Sequence, residues 1–228
     1  MPANPPVPDD IITPAQAPDS VLYVLMIAAD KVEDLEFFYP FYRLVEEGVR
    51  VDVATPSGGA FKGKNGYELK ETLKIDGLNP DAYHLLIIPG GKAPEELKKC
   101  EAAVDFVRVF ASQGKTIAAI CHGPQLLAAA GVIEGATLSG YPEIRSEIEA
   151  AGAAYAAKDA LVSGQFITGR WPADLPAFTK AVMEQLKVQA GELAPVPKPE
   201  INTGDTSSLA DADAVAEQMK ASFQTSAS

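Results

Sequence analysis

The stretch Thr116-Ile117-Ala118-Ala119-Ile120-Cys121-His122-Gly123-Pro124-Gln125 decides the fold. Its first five residues carry no charge, which predicts a strand buried on both faces. Cys121 falls at the carboxyl end of that strand, and the chain then turns sharply into a helix. Upstream, a helical period from Glu101 to Ser112 stops at Gly114, and Leu85 to Ile88 reads as another buried strand ending at Pro89-Gly90-Gly91. Further back, Val21 to Ala28 predicts the first strand, Asp34 to Glu47 an amphipathic helix closed by Gly48, and Val49 to Thr55 a valine-rich second strand. Between them, Phe61 to Lys74 holds an Asn65-Gly66 pair, a hairpin signal that predicts a small antiparallel excursion. Short apolar runs alternating with helical periods specify a mostly parallel sheet covered on both faces.

The 228 residues are enough for one domain with a sizeable core. That domain is expected over residues 20–190. Residues 1–19 carry Pro2, Pro5, Pro6, Pro8, Pro14 and Pro18, the composition of an extended arm. Residues 191–228 read as a linker followed by a short segment, Leu209 to Phe223, that either forms a helix with one apolar face or stays disordered.

A formal charge of −12 repels phosphate backbones and anionic lipid, so neither nucleic acid nor a membrane is an expected partner. No run of about 18 apolar residues occurs, and the first 19 residues hold Asp9, Asp10 and Asp19 but no Lys or Arg, unlike a signal peptide. Cys100 and Cys121 are too few for a disulfide scaffold or a cysteine-rich zinc site. A reducing cytoplasm is expected, with no cofactor and no metal.

In open α/β sheets the ligand crevice lies beyond the carboxyl ends of the strands. Three strand ends are chemically loaded: Ala29 to Asp34, Gly90 to Glu95 and Ala119 to Gln125. A cysteine on a strand-to-helix turn presents its sulfur to solvent while backbone N–H groups at the helix start face the reacting carbon. Gly123 permits that tight approach, and a helix start is expected to lower the thiol pKa. His122 either serves Cys121 as base or turns outward to pair with a carboxylate. His84 reads as a surface or structural residue, Cys100 as structural or incidental, and Arg170 as a residue that pins a loop or a subunit contact.

Four ordered motifs, V-E-D-L-E-F-F-Y-P (32–40), I-P-G-G-K-A-P-E (88–95), A-I-C-H-G-P-Q (119–125) and R-W-P-A-D-L-P-A-F (170–178), resemble the PfpI branch of the PfpI/ThiJ superfamily. The resemblance runs from about Val21 to Lys187. It implies a flavodoxin-like, class I glutamine amidotransferase-like fold: a mostly parallel sheet sandwiched by helices, with a nucleophile elbow. It implies that Cys121 is the nucleophile, that His122 belongs to a catalytic dyad or triad, and that Glu33 holds the thiol, with Asp34 and Glu36 as helix-start or surface charges. Glu95 would supply the acid of the triad to a neighbouring subunit, unless it is a first-turn glutamate favoured by the helix dipole. Gly90 and Gly91 would lend N–H groups beside the cysteine, and Tyr141 would stand near the site.

The activities implied are a cysteine-dependent reaction on small reactive carbonyls, of the cofactor-free glyoxalase or protein deglycase type, a cysteine peptidase, or a redox or stress sensor or chaperone without turnover. The partners implied are a small carbonyl or a protein substrate and further copies of the chain, as a dimer or a hexamer built from dimers.

Overall fold

Each central apolar run of the sequence becomes a strand with a slip of two residues at most. The structure, a computed structural model, describes residues 22–70 and 72–192. The proline-rich arm and the segment Leu209 to Phe223 lie outside the described residues. In chain order the elements begin with β1 (Tyr23–Ile27), α1 (Asp34–Glu46), β2 (Arg50–Thr55), β3 (Phe61–Lys62), β4 (Glu68–Leu69), β5 (Leu73–Lys74) and β6 (Leu85–Ile88). They continue with α2 (Ala93–Leu97), α3 (Glu101–Ser112), β7 (Thr116–Ile120), α4 (Pro124–Ala130), β8 (Thr137–Leu138), α5 (Arg145–Ala150) and β9 (Ala154–Tyr155). The last are β10 (Leu161–Ser163), β11 (Phe166–Gly169) and α6 (Leu175–Glu192).

Seven strands form one sheet in the order β10-β11-β7-β6-β1-β2-β5. All neighbours are parallel except β10, which returns antiparallel on β11. The strands β1, β6 and β7 are buried at every position, as expected for central parallel strands covered on both faces. From β1 the chain steps one way to β2, and from β6 the other way to β7. Right-handed crossovers therefore place α1 and α3 on opposite faces. Accordingly α1 packs with α6, and α3 packs with α4. Phe37, Phe41 and Leu44 of α1, Phe106, Val107 and Phe110 of α3, and Phe178, Val182 and Leu186 of α6 fill the two layers. The strand order reverses between β1 and β6, which opens the crevice at their carboxyl ends. No helix among the described residues is long and apolar enough to cross a membrane.

Two features differ from the sequence expectation. The antiparallel excursion is shorter than Phe61 to Lys74: only β3 and β4 pair there, while β5 joins the main sheet parallel to β2. Asp34 is a helix-start charge, opening α1, but it is buried rather than at the surface, and its carboxylate accepts from Asn65 N at 2.7 Å, Asn65 Nδ2 at 3.0 Å and Tyr67 N at 3.2 Å. A buried carboxylate requires such partners, and here they fasten the hairpin to the start of α1.

Candidate active site

Cys121 follows β7 with φ 59°, a left-handed conformation that costs a non-glycine residue about 1–2 kcal/mol. Both of its backbone groups are tied down: its N–H donates to Gly169 O at 3.0 Å, and its carbonyl accepts from Tyr141 N at 2.8 Å. Gly123 lets the elbow lie on β6, because a Cβ there would stand 2.3 Å from Ile88 O. Its N–H donates to Ile120 O at 2.8 Å, so Gly123 shapes the turn and is not a free donor to the site.

The carboxyl beside the thiol belongs to Glu36, which corrects the assignment of that place to Glu33. Glu36 is fully buried, its Oε2 accepts from Gly90 N at 2.9 Å, and its carboxyl hydrogen-bonds Cys121. Oε1 is buried without a hydrogen-bond partner among the described residues. Burial pushes the Glu36 carboxyl up to about 8, so at neutral pH it is mostly protonated. Glu33 lines the same cavity, but its Oε2 accepts from Lys64 Nζ at 3.0 Å and its Oε1 from Asn65 Nδ2 at 3.4 Å. Helix period explains the exchange. Glu36 stands four and eight residues before the buried Pro40 and Leu44, on the stripe that faces the sheet, whereas Glu33 precedes the helix. That spacing is readable in the sequence as a charge on an apolar stripe.

The two glycines after β6 divide the work. Gly90 spends its N–H on Glu36, and a Cβ on it would meet both Cys121 Cβ and Glu36 Oε2 at 2.6 Å. Gly90 therefore makes room for the contact between acid and thiol and offers no free donor. Gly91 has φ 73°, and a Cβ there would lie 2.3 Å from Glu33 N. Its backbone N–H and that of His122 are the donors directed at the Cys121 sulfur.

Those donors lower the thiol pKa, yet they do not win. Burial, and then the charge of Glu36 when ionised, push it well above the ordinary cysteine range, the opposite of the expected lowering. The helix α4 spans only seven residues, too short to offset the desolvation of a buried sulfur.

His122 turns toward Cys121: Nδ1 lies 3.2 Å from Sγ, and the ring stacks on Tyr141 with centroids 4.8 Å apart. Burial lowers its pKa, against the opposing pull of Glu143 and Glu95, so the ring is neutral and able to accept a proton. Glu95 is exposed in the first turn of α2 and acts on His122 through its field alone, with no hydrogen bond between them among the described residues.

These groups open onto a cavity of about 310 Å³, to which Lys64, Glu143, Trp171 and Pro172 also contribute. Arg170 holds the Trp171 side: its guanidinium grips the buried Asp174 carboxylate through two 2.8 Å bonds and covers the Trp171 ring at 4.7 Å. Glu36 and Lys64 are the residues that motif reading passed over. Lys64 leaves no signal of its own, because the hairpin carrying it is brought to the site by long-range bonds to the buried Asp34 and to the backbone after β1. His84 is structural, accepting from Tyr23 N at 3.0 Å at the far end of β1.

Comparison with known proteins follows the same lines. Residues 23–185 match the DJ-1/PfpI family. The chain is 40% identical over 164 residues to a Pyrococcus horikoshii protein named Deglycase PH1704, covering 72% of this chain and 99% of that one. It is 35% identical over 167 residues to Protein/nucleic acid deglycase 2 of Escherichia coli, covering 72% of this chain and 96% of that one. Among solved structures, Drosophila melanogaster DJ-1beta superposes with a TM-score of 0.69 at 27% identity, covering 76% of this chain and 96% of that one. With its elbow cysteine, its parallel sheet and a match that spans most of its length, the chain belongs to the DJ-1/PfpI family.

Proposed function

We propose that the protein is a cysteine-dependent enzyme of stress protection that acts on small reactive carbonyls and on the adducts they form with proteins. The observation that carries this reading is the convergence of Cys121 Sγ, His122 Nδ1 and the protonated Glu36 carboxyl on one cavity of about 310 Å³. That volume lies at the small-molecule end of ligand pockets and suits an aldehyde better than an extended peptide. The deglycase names of the P. horikoshii and E. coli relatives support the same class of chemistry.

In the reaction, His122 Nδ1 takes the thiol proton and the sulfur adds to the aldehyde carbon of an α-oxoaldehyde. The oxyanion meets the N–H groups of Gly91 and His122 and is then protonated to a hemithioacetal. The donor to that oxyanion is the Glu36 carboxyl, which as a carboxylate then takes the proton from the sulfur-bearing carbon and delivers it to the neighbouring carbon, while the hemithioacetal hydroxyl proton passes to the adjacent oxygen. The adjacent carbonyl becomes an alcohol, the first carbon a thioester carbonyl, and the proton held by His122 restores Glu36. Water adds to the thioester, the carbon–sulfur bond breaks, and the thiol regains its proton. The sum is α-oxoaldehyde plus water to 2-hydroxy acid, with no outside oxidant or reductant. From a protein adduct the amine or thiol leaves and the same acid forms. The working form is an oligomer in which Glu95 reaches the His122 of a neighbouring subunit, a reading supported by its exposure and its lack of a bond to the His122 of its own chain.

Lactate formation from methylglyoxal, and from methylglyoxal-treated N-acetylarginine, is expected with the wild type and absent with Cys121→Ala. Casein hydrolysis without carbonyl turnover would overturn the proposal in favour of a peptidase. Turnover of neither would leave a non-enzymatic sensor.

A further inference from the structure

The hairpin β3–β4 adds two residues per strand, pairs with no other strand among the described residues and contributes little to the core beyond Phe61 and Leu69. It is nevertheless held with care. Beyond the three bonds to Asp34, Lys31 N–H donates to Lys62 O at 2.7 Å, and Lys64 N–H donates to Val32 O at 2.8 Å. Gly63 has no room for a side chain, since a Cβ there would stand 2.1 Å from Asp34 Oδ1. Lys64 is the hairpin residue, among those described, that lines the reactive cavity, and one of these bonds is made by its own N–H. Lys64 carries the one ammonium or guanidinium group among the described residues lining that cavity, and Glu33 Oε2 holds its Nζ at 3.0 Å.

We infer that Lys64 is a functional group of the site: its ammonium, held in place by Glu33, offsets the negative charge that Cys121 acquires when it becomes a thiolate. Glu33 is then a positioning residue for Lys64 and not a partner of the sulfur. The surrounding charges make the role specific. Glu33 and Glu36 from the start of α1 and Glu143 from the turn before α5 oppose a thiolate whenever they are ionised. His122 is neutral and Tyr141 stacks on it, while Glu95 and Glu147 reach the site only through His122. No other fixed positive charge lines the cavity among the described residues. The field of Lys64 reaches both Cys121 and Glu36. It is partly screened, because the Lys64 side chain is 59% exposed, so the effect is expected to shrink with added salt.

This inference rests on the proposed function only in taking Cys121 as the reacting group, and its test needs no carbonyl substrate. The test is the rate of Cys121 alkylation by iodoacetamide across pH, in full-length protein carrying Cys100→Ser as the background. Removing a positive charge disfavours the thiolate, so Lys64→Met is expected to move the midpoint upward and slow alkylation at pH 7 by roughly 3–10-fold. Lys64→Arg, which keeps the charge, is expected to restore most of the rate at pH 7, and 0.5 M salt to narrow the gap between Lys64→Met and the background protein. Circular dichroism and melting should be unchanged, since the side chain is largely exposed. A Lys64→Met profile that superimposes on that of the background protein would overturn the inference, as would a loss that Lys64→Arg fails to restore. Failure of methylglyoxal turnover alongside a shifted alkylation profile would sink the proposed reaction and leave the role of Lys64 standing.

Discussion

At the scale of single residues the site is a matter of one proton between two buried groups. Glu36 is held protonated up to about 8, against a usual 4.5, by burial. Between those two values the folded chain binds more protons than the unfolded chain, so this group makes stability fall as pH rises through the window, with no further change above it. Glu36→Gln keeps a carbonyl oxygen for Gly90 N and removes the titration. Melting temperatures measured from pH 4.5 to 8 should therefore fall less steeply for the variant than for the wild type. Turnover should drop by about 100-fold or more, because Gln cannot pass a proton between carbons. A variant that stays active would remove Glu36 from the chemistry.

At the scale of elements, the site is assembled from the ends of β1, β6 and β7, and its most dependent part is the hairpin. Asp34 alone accepts three hydrogen bonds from Asn65 and Tyr67, two of them from backbone N–H groups. Asp34→Ala leaves those donors without their acceptor and should destabilise the fold by about 2–3 kcal/mol in urea denaturation. It should also slow Cys121 alkylation, since Lys64 loses its fixed place. Asp34→Asn keeps one acceptor oxygen and should recover part of both losses. Unchanged stability in Asp34→Ala would show that the hairpin is held by other means.

For the whole molecule, the decisive question is how many chains make one site. Glu95 is exposed at the head of α2 and unbonded to the His122 of its own chain. Light scattering at micromolar concentration should give a mass above one chain. In the oligomer, Glu95→Gln should lower kcat and move the pH dependence of kcat/KM downward, because His122 loses a carboxylate that raises its pKa. A purely monomeric mass with full activity would leave Glu95 as an ordinary first-turn glutamate.

The sequence by itself determined the fold class, the central strands β6 and β7, the helix α3 and the place of Cys121. These follow from local pattern: an uncharged run of five residues has to be buried, and the strand-to-helix turn after it sits at the crevice beyond the carboxyl ends of the strands. Gly91 was legible for the same reason, since a glycine pair after a buried strand marks a turn that other residues resist. Only the tertiary structure decided between Glu33 and Glu36, because which of two carboxylates three residues apart meets a sulfur depends on the rotation of α1 against the sheet. It also decided that burial outweighs the helix start in setting the thiol pKa. Lys64 enters the site from a hairpin about 57 residues away in the chain, through bonds to a buried aspartate that no local pattern marks. Charge and spacing along the chain are local properties, whereas the company a buried charge keeps is set by packing between distant segments.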